Sequence, residues 1–271
     1  MNLATLLPSI EQLAKQAGEA TLAVYKKPEL WDVEHKDDCS PLTQADIQSH
    51  NIIAAGLAAL TPNIPVLSEE ADVPPFEVRS QWQQYWLIDP LDGTKEFINR
   101  KGEFTVNIAL IQNNKAVLGV VYAPVLDVCY IGAEGIGAFK IDANGEKPLR
   151  VKKLTQGKQT LNIVASRRHG AEEVDRLLET ITSEYGEPQL TSMGSSLKLC
   201  LVAEGKADIY PRLAPTCEWD TAASQAVVEQ AGGVVLNDQF KPMQYNAKPE
   251  LLNGYFYVIG DQQFDWLALL K

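Results

Sequence analysis

A chain of 271 residues, 45% of them hydrophobic and 22% charged, is long enough to bury a sizeable core and has the composition of an ordinary soluble globular protein. Its formal charge of −11, from 24 Lys and Arg against 35 Asp and Glu, excludes a broad nucleic-acid footprint, which needs a basic stripe to displace counterions. A small anionic substrate is still admitted, because a bound cation can invert the local field.

The first segment predicts an amphipathic helix, with Ile10, Leu13, Ala14, Ala17, Val24 and Tyr25 recurring at helical spacing. It has no basic leader followed by an apolar stretch and a cleavage site. No apolar run approaches the ~20 residues of a membrane span, so a soluble, cytoplasmic protein is expected. A second helix is expected from Thr43, with Ile47, Ala54, Leu57 and Ala58 on one face. "IPVLSEE" and "YWLID" then read as strands that run apolar and end in acids. "FTVNIALI" and "AVLGVVYAP" flank Asn113-Asn114 as a hairpin, and a further hairpin turns at Asn144-Gly145.

Beyond about residue 155 strands alternate with helices: "LNIVAS", a helix over 171–185, a serine-capped helix in "SSLKLCLVAEG", "ADIYPRL", a helix in "TAASQAVVEQAGG" closed by Gly232-Gly233, "GVVLN", "YFYVIG" and a terminal helix in "QQFDWLALLK". The expectation is an N-terminal α+β half (1–154) and a C-terminal α/β half (155–271), packed as one catalytic unit without a linker. Cys39, Cys129, Cys200 and Cys217 form no CxxC pair and read as reduced thiols.

Three acidic groups stand out by position. Glu69-Glu70 end one strand, Asp89 and Asp92 end another, and Asp220 opens a helix. Carboxylates on rigid element ends suit hard divalent cations such as Mg²⁺, which take oxygen ligands. Each also has a plainer reading. "DPLDGT" is sound turn chemistry, Glu69-Glu70 suits a solvated strand end, Asp220 suits a helix cap, and Thr43-x-x-Asp46 is a capping-box pattern. Together they are harder to dismiss: Pro90 stiffens the backbone between Asp89 and Asp92, and Gly93 leaves room for a phosphate.

"VLSEE", "WLIDPLDGTKEFINRKGEFTVNIALI", "GVVYAPV", "GSSLKLCLVAEGKADIYPR" and "EWDTAA" occur in an order that resembles the lithium-sensitive, magnesium-dependent superfamily of inositol monophosphatases. Lys95-Glu96 after "DGT" makes the chain most similar to its bacterial 3′(2′),5′-bisphosphate nucleotidase branch. The resemblance spans nearly the whole chain and implies an α+β (α/β) fold, the layered αβαβα sandwich of the sugar phosphatases. It implies two Mg²⁺ ions per site, three at most, with inhibition by Li⁺. Glu69, Asp89, the Leu91 carbonyl, Asp92 and Asp220 would ligate metal, and Thr94 paired with Asp46 would orient a water for in-line attack. Glu69, Leu91, Asp92, Gly93, Thr94 and Asp220 would also face the substrate phosphate. Ser166, His169, Gly194, Ser195, Ser196, Lys198 and Arg212 would bind the rest of the nucleotide, with Gly194, Ser195, Ser196 and Lys198 at a helix start cradling its second phosphate and Arg212 a further phosphate contact.

Ser224 departs from the family, where glycine is common, and is expected to affect helix packing rather than ligation. The implied reaction removes the 3′-phosphate of adenosine 3′,5′-bisphosphate to give AMP, with 3′-phosphoadenylyl sulfate as a second substrate, in sulfate assimilation. A phosphatase for inositol monophosphate or fructose 1,6-bisphosphate is the same-class alternative, and a non-catalytic nucleotide-binding regulator the different-class one. A short-oligonucleotide phosphatase is disfavoured by the acidic balance. A monomer is expected. Peripheral association with the inner face of the membrane is left open, though no segment demands it.

Overall fold

The structure, a computed structural model, describes residues 2–27, 31, 34–35, 41–155, 157, 159–165 and 171–270. Helix α1 (Leu3–Tyr25) buries Ile10, Leu13, Ala14, Ala17 and Val24, the stripe its spacing predicts. After the short antiparallel pair β1 (Glu34–His35) and β2 (Pro41–Leu42), helix α2 (Gln44–Leu60) opens on Thr43, whose hydroxyl caps the Ala45 amide. The two helices lie side by side on one sheet.

That sheet holds seven strands in chain order: β3 (Val66–Ser68), β4 (Gln84–Asp92), β5 (Thr105–Gln112), β6 (Lys115–Ala123), β7 (Val128–Ala133), β8 (Gly137–Asp142) and β9 (Gly145–Pro148). β3 pairs with β4 in parallel and every other neighbouring pair is antiparallel. Both expected hairpins form. Short helices α3 (Phe76–Arg79) and α4 (Thr94–Ile98) flank β4.

Side chains alternate across the pleat. Trp86, Ile88, Val106, Ile108 and Leu110 face α1 and α2, whereas Tyr85, Leu87, Ala109 and Ile111 face the other way. Asp89 and its cross-strand partner Asn107 fall on this second face, at the end of the apolar run.

The second half supplies what covers that face. β10 (Asn162–Ala165), α5 (Ala171–Tyr185), β11 (Gln189–Ser192), α6 (Leu197–Ala203), β12 (Ile209–Arg212), β13 (Thr216–Cys217), α7 (Glu218–Gln230), β14 (Val234–Asn237), β15 (Leu252–Asn253), β16 (Phe256–Ile259) and α8 (Leu267–Leu270) follow in order. Five of the strands form a sheet ordered β11-β10-β12-β16-β14, and β13 pairs with β15. Helices α6 and α7 fill the space between the two sheets, and one core cluster runs from Leu67 to Val258 through them. α5 and α8 close the outer face around Ile163, Ile181, Phe264 and Trp266. The layers are therefore α1–α2, sheet, α6–α7, sheet, α5–α8, the αβαβα sandwich.

Three local expectations need correction. β4 does not stop at Asp89 but runs through Pro90 to Asp92, with a register shift between the two aspartates. The terminal helix is only four residues long. Phe264 and Trp266 both enter the core, a spacing of two that one helical face cannot serve. Ser196 precedes α6 but its side chain does not cap the helix.

Candidate active site

Parallel pairing of β3 with β4 sets their C-terminal ends together. Ser68 pairs with Ile88, and the Glu69 amide donates to the Ile88 carbonyl at 3.3 Å, so Glu69 emerges beside Asp89. From the second half, Asp220 sits in the first turn of α7, where its Oδ2 accepts the Cys217 amide at 2.9 Å. The capping reading of Asp220 thus holds for one of its oxygens. One carboxylate oxygen from each of Glu69, Asp89 and Asp220 lies within 4.8 Å of the others, a cluster that could hold a metal ion.

Asp92 stands next to this cluster, with its Oδ2 engaged by Ser196. The Ser196 amide donates to it at 2.5 Å and the hydroxyl lies 2.8 Å away. The same hydroxyl lies 2.6 Å from the Asp220 carbonyl and accepts the Asn107 amide at 2.9 Å. Ser196 borders the cleft beside the acids, but its amide and hydroxyl turn to protein and it is only 1% exposed.

Asp46 reconciles two readings of one residue. Its Oδ2 accepts the Thr43 amide at 2.8 Å and the Thr43 hydroxyl at 2.6 Å, completing the capping box of α2. Its Oδ1 lies 3.4 Å from the Thr94 hydroxyl, which is equally 3.4 Å from the Leu91 carbonyl. Neighbouring bonds fix this geometry. Ser49 donates to the Pro90 carbonyl at 2.7 Å, and His50 Nδ1 lies 2.8 Å from the Ser68 hydroxyl. Gly93 takes φ +94°, and a Cβ there would lie 3.3 Å from both the Glu103 carbonyl and Ser195, so only glycine makes this turn without strain. Below it, Phe97 packs edge-on against Tyr25 and Phe104 and tilted against Trp31, with ring centroids 5.1–5.2 Å apart, which anchors α4.

The electrostatics of the cluster favour a cation. Burial first, and then the charges of Glu69, Asp92 and Asp220, push the Asp89 carboxyl well above the usual range. Asp220 is raised by burial and then by Asp92 and Glu69. Burial also raises Asp92, which Lys198 and Ser196 partly offset. Oxygen-only donors crowded in this way fit a hard divalent ion, whose charge would relieve the repulsion. The fit therefore rests on donor chemistry and charge alike.

Beside the acids opens a cleft of about 170 Å³, lined by Asp92, Gly93, Gly194, Ser195, Lys198, Arg212 and Asp220 among others. Its walls are mixed: Met193, Leu199 and Phe256 are apolar, and Lys95, Glu96 and Tyr210 bring polar groups. The Lys198 ammonium lies 5.8 Å from the centre of the Tyr210 ring, and burial lowers its pKa. Arg212 turns its guanidinium to the carbonyls of Ala214 and Pro215, each at 3.1 Å, which braces the loop entering α7. Ser166 and His169 lie outside the described residues.

Ser49, His50 and Asn107 were not singled out in the sequence. Ser49 and His50 sit on a helix face and look like solvated positions until α2 packs on β4. A lone asparagine in "FTVNIALI" was a readable signal, since a polar side chain inside a buried strand needs partners.

The chain matches the profile described as the inositol monophosphatase family over residues 2–255. It is 51% identical over 253 residues to the 3′(2′),5′-bisphosphate nucleotidase CysQ of Escherichia coli (strain K12), covering 93% of this chain and 99% of that one. To the protein of the same name from Haemophilus influenzae it is 38% identical, covering 98% and 97%. Among solved structures, CysQ from Bacteroides thetaiotaomicron superimposes with a TM-score of 0.83 at 40% identity, over 97% of this chain and 100% of that one. The extragenic suppressor protein suhB from Bartonella henselae gives a TM-score of 0.80 at 25% identity, over 98% and 97%. With the layered fold and the crowded carboxylates already in hand, these likenesses settle its kinship: the chain belongs to the inositol monophosphatase family.

Proposed function

We propose that this protein is a 3′(2′),5′-bisphosphate nucleotidase that removes the 3′-phosphate of adenosine 3′,5′-bisphosphate, yielding AMP and phosphate. The observation that carries the reading is the convergence of Glu69, Asp89 and Asp220, one from each of three elements and drawn from both halves, beside a cleft holding Lys198 and Arg212. Similarity of about half the residues to CysQ proteins supports the substrate class.

Glu69, Asp89, Asp220, Asp92 and the Leu91 carbonyl would hold Mg²⁺. When bound, Mg²⁺ supplies a water of lowered pKa and charge to stabilise the departing ribose oxygen. Asp46 accepts from Thr94 and so fixes which way the Thr94 hydroxyl presents its lone pairs to that water. Gly93 leaves its side of the site open to the phosphate. Lys198 places positive charge in the cleft, where the second phosphate would lie. The Gly194–Ser195 corner and the apolar walls of Met193 and Phe256 would receive the nucleoside.

In this reading residues 1–154 and 155–271 act as one catalytic unit, because each contributes carboxylates. The protein works as a cytoplasmic monomer, and 3′-phosphoadenylyl sulfate is a second substrate. Li⁺ inhibits by taking a metal position. Among the described residues no helix is long and apolar enough to cross a membrane.

The test compares phosphate release from adenosine 3′,5′-bisphosphate, inositol 1-phosphate and fructose 1,6-bisphosphate under Mg²⁺, with and without Li⁺. The bisphosphate nucleotide should give the highest kcat/KM. A higher value for inositol phosphate would overturn the substrate assignment.

A further inference from the structure

We propose that Ser196, oriented by Asn107, is a positioning residue that ties the carboxylates of the two halves into one arrangement, rather than a group that touches phosphate. The proposal rests on the metal reading above.

Asn107 lies on β5 directly opposite Asp89 and is 1% exposed. Its side-chain amide donates to the Ser196 hydroxyl at 2.9 Å. That donation leaves the hydroxyl with a single proton and two acceptors, the Asp220 carbonyl at 2.6 Å and Asp92 Oδ2 at 2.8 Å. The Ser196 amide also donates to Asp92 Oδ2 at 2.5 Å. One residue therefore joins the end of β4, the start of β5, the start of α6 and the first turn of α7.

The consequence for the site is geometric. With Oδ2 of Asp92 held by the Ser196 backbone and side chain, the orientation of its carboxylate beside the cluster is set. Contact with the Asp220 carbonyl fixes the turn of α7 that aims the Asp220 carboxylate at Glu69 and Asp89. Asn107 contributes by saturating the hydroxyl from one side, so that its proton must point towards the acids. The asparagine oxygen is buried with no hydrogen-bond partner. That leaves the amide as the side chain's polar contact group, bonded to Ser196 and also favouring the charged form of the Asp92 carboxylate beside it.

Ligand-supporting residues of this kind typically change metal affinity by about 10–100-fold when removed. The experiment titrates metal-free protein with Mn²⁺ and follows the free ion by electron paramagnetic resonance, alongside melting in EDTA and kcat and KM at saturating Mg²⁺. Ser196→Ala and Asn107→Leu should each weaken Mn²⁺ binding by about tenfold. The double variant should lose less than the sum of the two single ones, because both act on the same hydroxyl and the same Asp92 carboxylate. KM for adenosine 3′,5′-bisphosphate should stay within about twofold in both, since neither side chain meets substrate.

Unchanged Mn²⁺ affinity in Ser196→Ala, additive losses in the double variant, or a tenfold rise in KM at saturating Mg²⁺ would each overturn the proposal. A Glu69→Gln variant separates this from the underlying reading. If Glu69→Gln loses Mn²⁺ while Ser196→Ala keeps it, positioning fails alone; if Glu69→Gln also keeps it, the metal site itself is misassigned.

Discussion

Asp46 Oδ1 lies 3.4 Å from the hydroxyl of Thr94, a residue 48 positions along the chain, while its other oxygen caps helix α2. One carboxylate thus orders a helix start and a site hydroxyl together. Asp46→Asn keeps an acceptor for the cap but loses the charge facing Thr94. It should cost less than ~1 kcal/mol in stability and lower kcat by about 10²-fold or more, as loss of an orienting acid–base partner does. Urea unfolding and steady-state kinetics measure the two effects. A variant as active as the parent would remove Asp46 from the mechanism.

Asp89 is held against its own electrostatics. Burial and three neighbouring carboxylates raise its pKa, so in metal-free protein the folded state binds protons more tightly than the unfolded chain. By linkage the metal-free protein loses stability as pH rises above the ordinary Asp range, and a metal ion reverses the trend. Asp89→Asn should therefore raise stability in EDTA at pH 7.5 by on the order of 1 kcal/mol while removing activity. Calorimetry of both forms in EDTA is decisive: a less stable variant would mean that Asp89 is well compensated without metal.

Gly119 shows how tightly α7 is seated on the seven-stranded sheet. A Cβ there would lie 2.0 Å from the Ala223 carbonyl, a backbone atom that cannot swing aside. Gly119→Ala should destabilise by ~3 kcal/mol, and because α7 begins near Asp220 it should weaken metal binding as well. A soluble variant with the parent's melting temperature would show that the helix can lift without penalty.

The sequence made much of this legible where a signal was local. Thr43 and Asp46 announced the start of α2, Asn113-Asn114 the β5–β6 hairpin, and the apolar spacing of Leu177, Leu178 and Ile181 the helix at Ala171–Tyr185. "SEE", "DPLDGT" and "WDTAA" marked acids on element ends, and β3–β4 pairing together with the entry of α7 is what draws Glu69, Asp89 and Asp220 together. What escaped was settled by tertiary partners. Ser196 looks like a helix cap in sequence, yet Asp92 and the Asp220 carbonyl are stronger partners, brought in from distant segments. Phe264 and Trp266 broke the expected terminal helix by both seeking the core. β7 is short and contains Gly132, so "VCYIGA" carries a weak strand pattern of its own and is fixed by pairing with β6 and β8.

Glu204 supplies a pH dependence remote from the acids. Burial pushes its carboxyl up, but Lys206 at 2.7 Å, the Tyr130 hydroxyl at 2.5 Å and Lys140 at 3.2 Å more than offset this, so its pKa is lowered. A lowered carboxylate stabilises the fold above its unfolded pKa and loses that contribution as pH falls through its folded value. Glu204→Gln should therefore be less stable at pH 7 by ~1 kcal/mol and lose stability less steeply with acid. Unfolding curves from pH 3 to pH 7 would record this, and parallel curves for the two proteins would discount the cluster.

The most direct measurement follows adenosine 3′,5′-bisphosphate by chromatography with purified protein in Mg²⁺ and in EDTA. The expected result is conversion to 5′-AMP and one equivalent of phosphate in Mg²⁺, none in EDTA, and none with Asp89→Asn in either. Turnover that persists in EDTA, or no turnover of this nucleotide in Mg²⁺, would contradict the assignment.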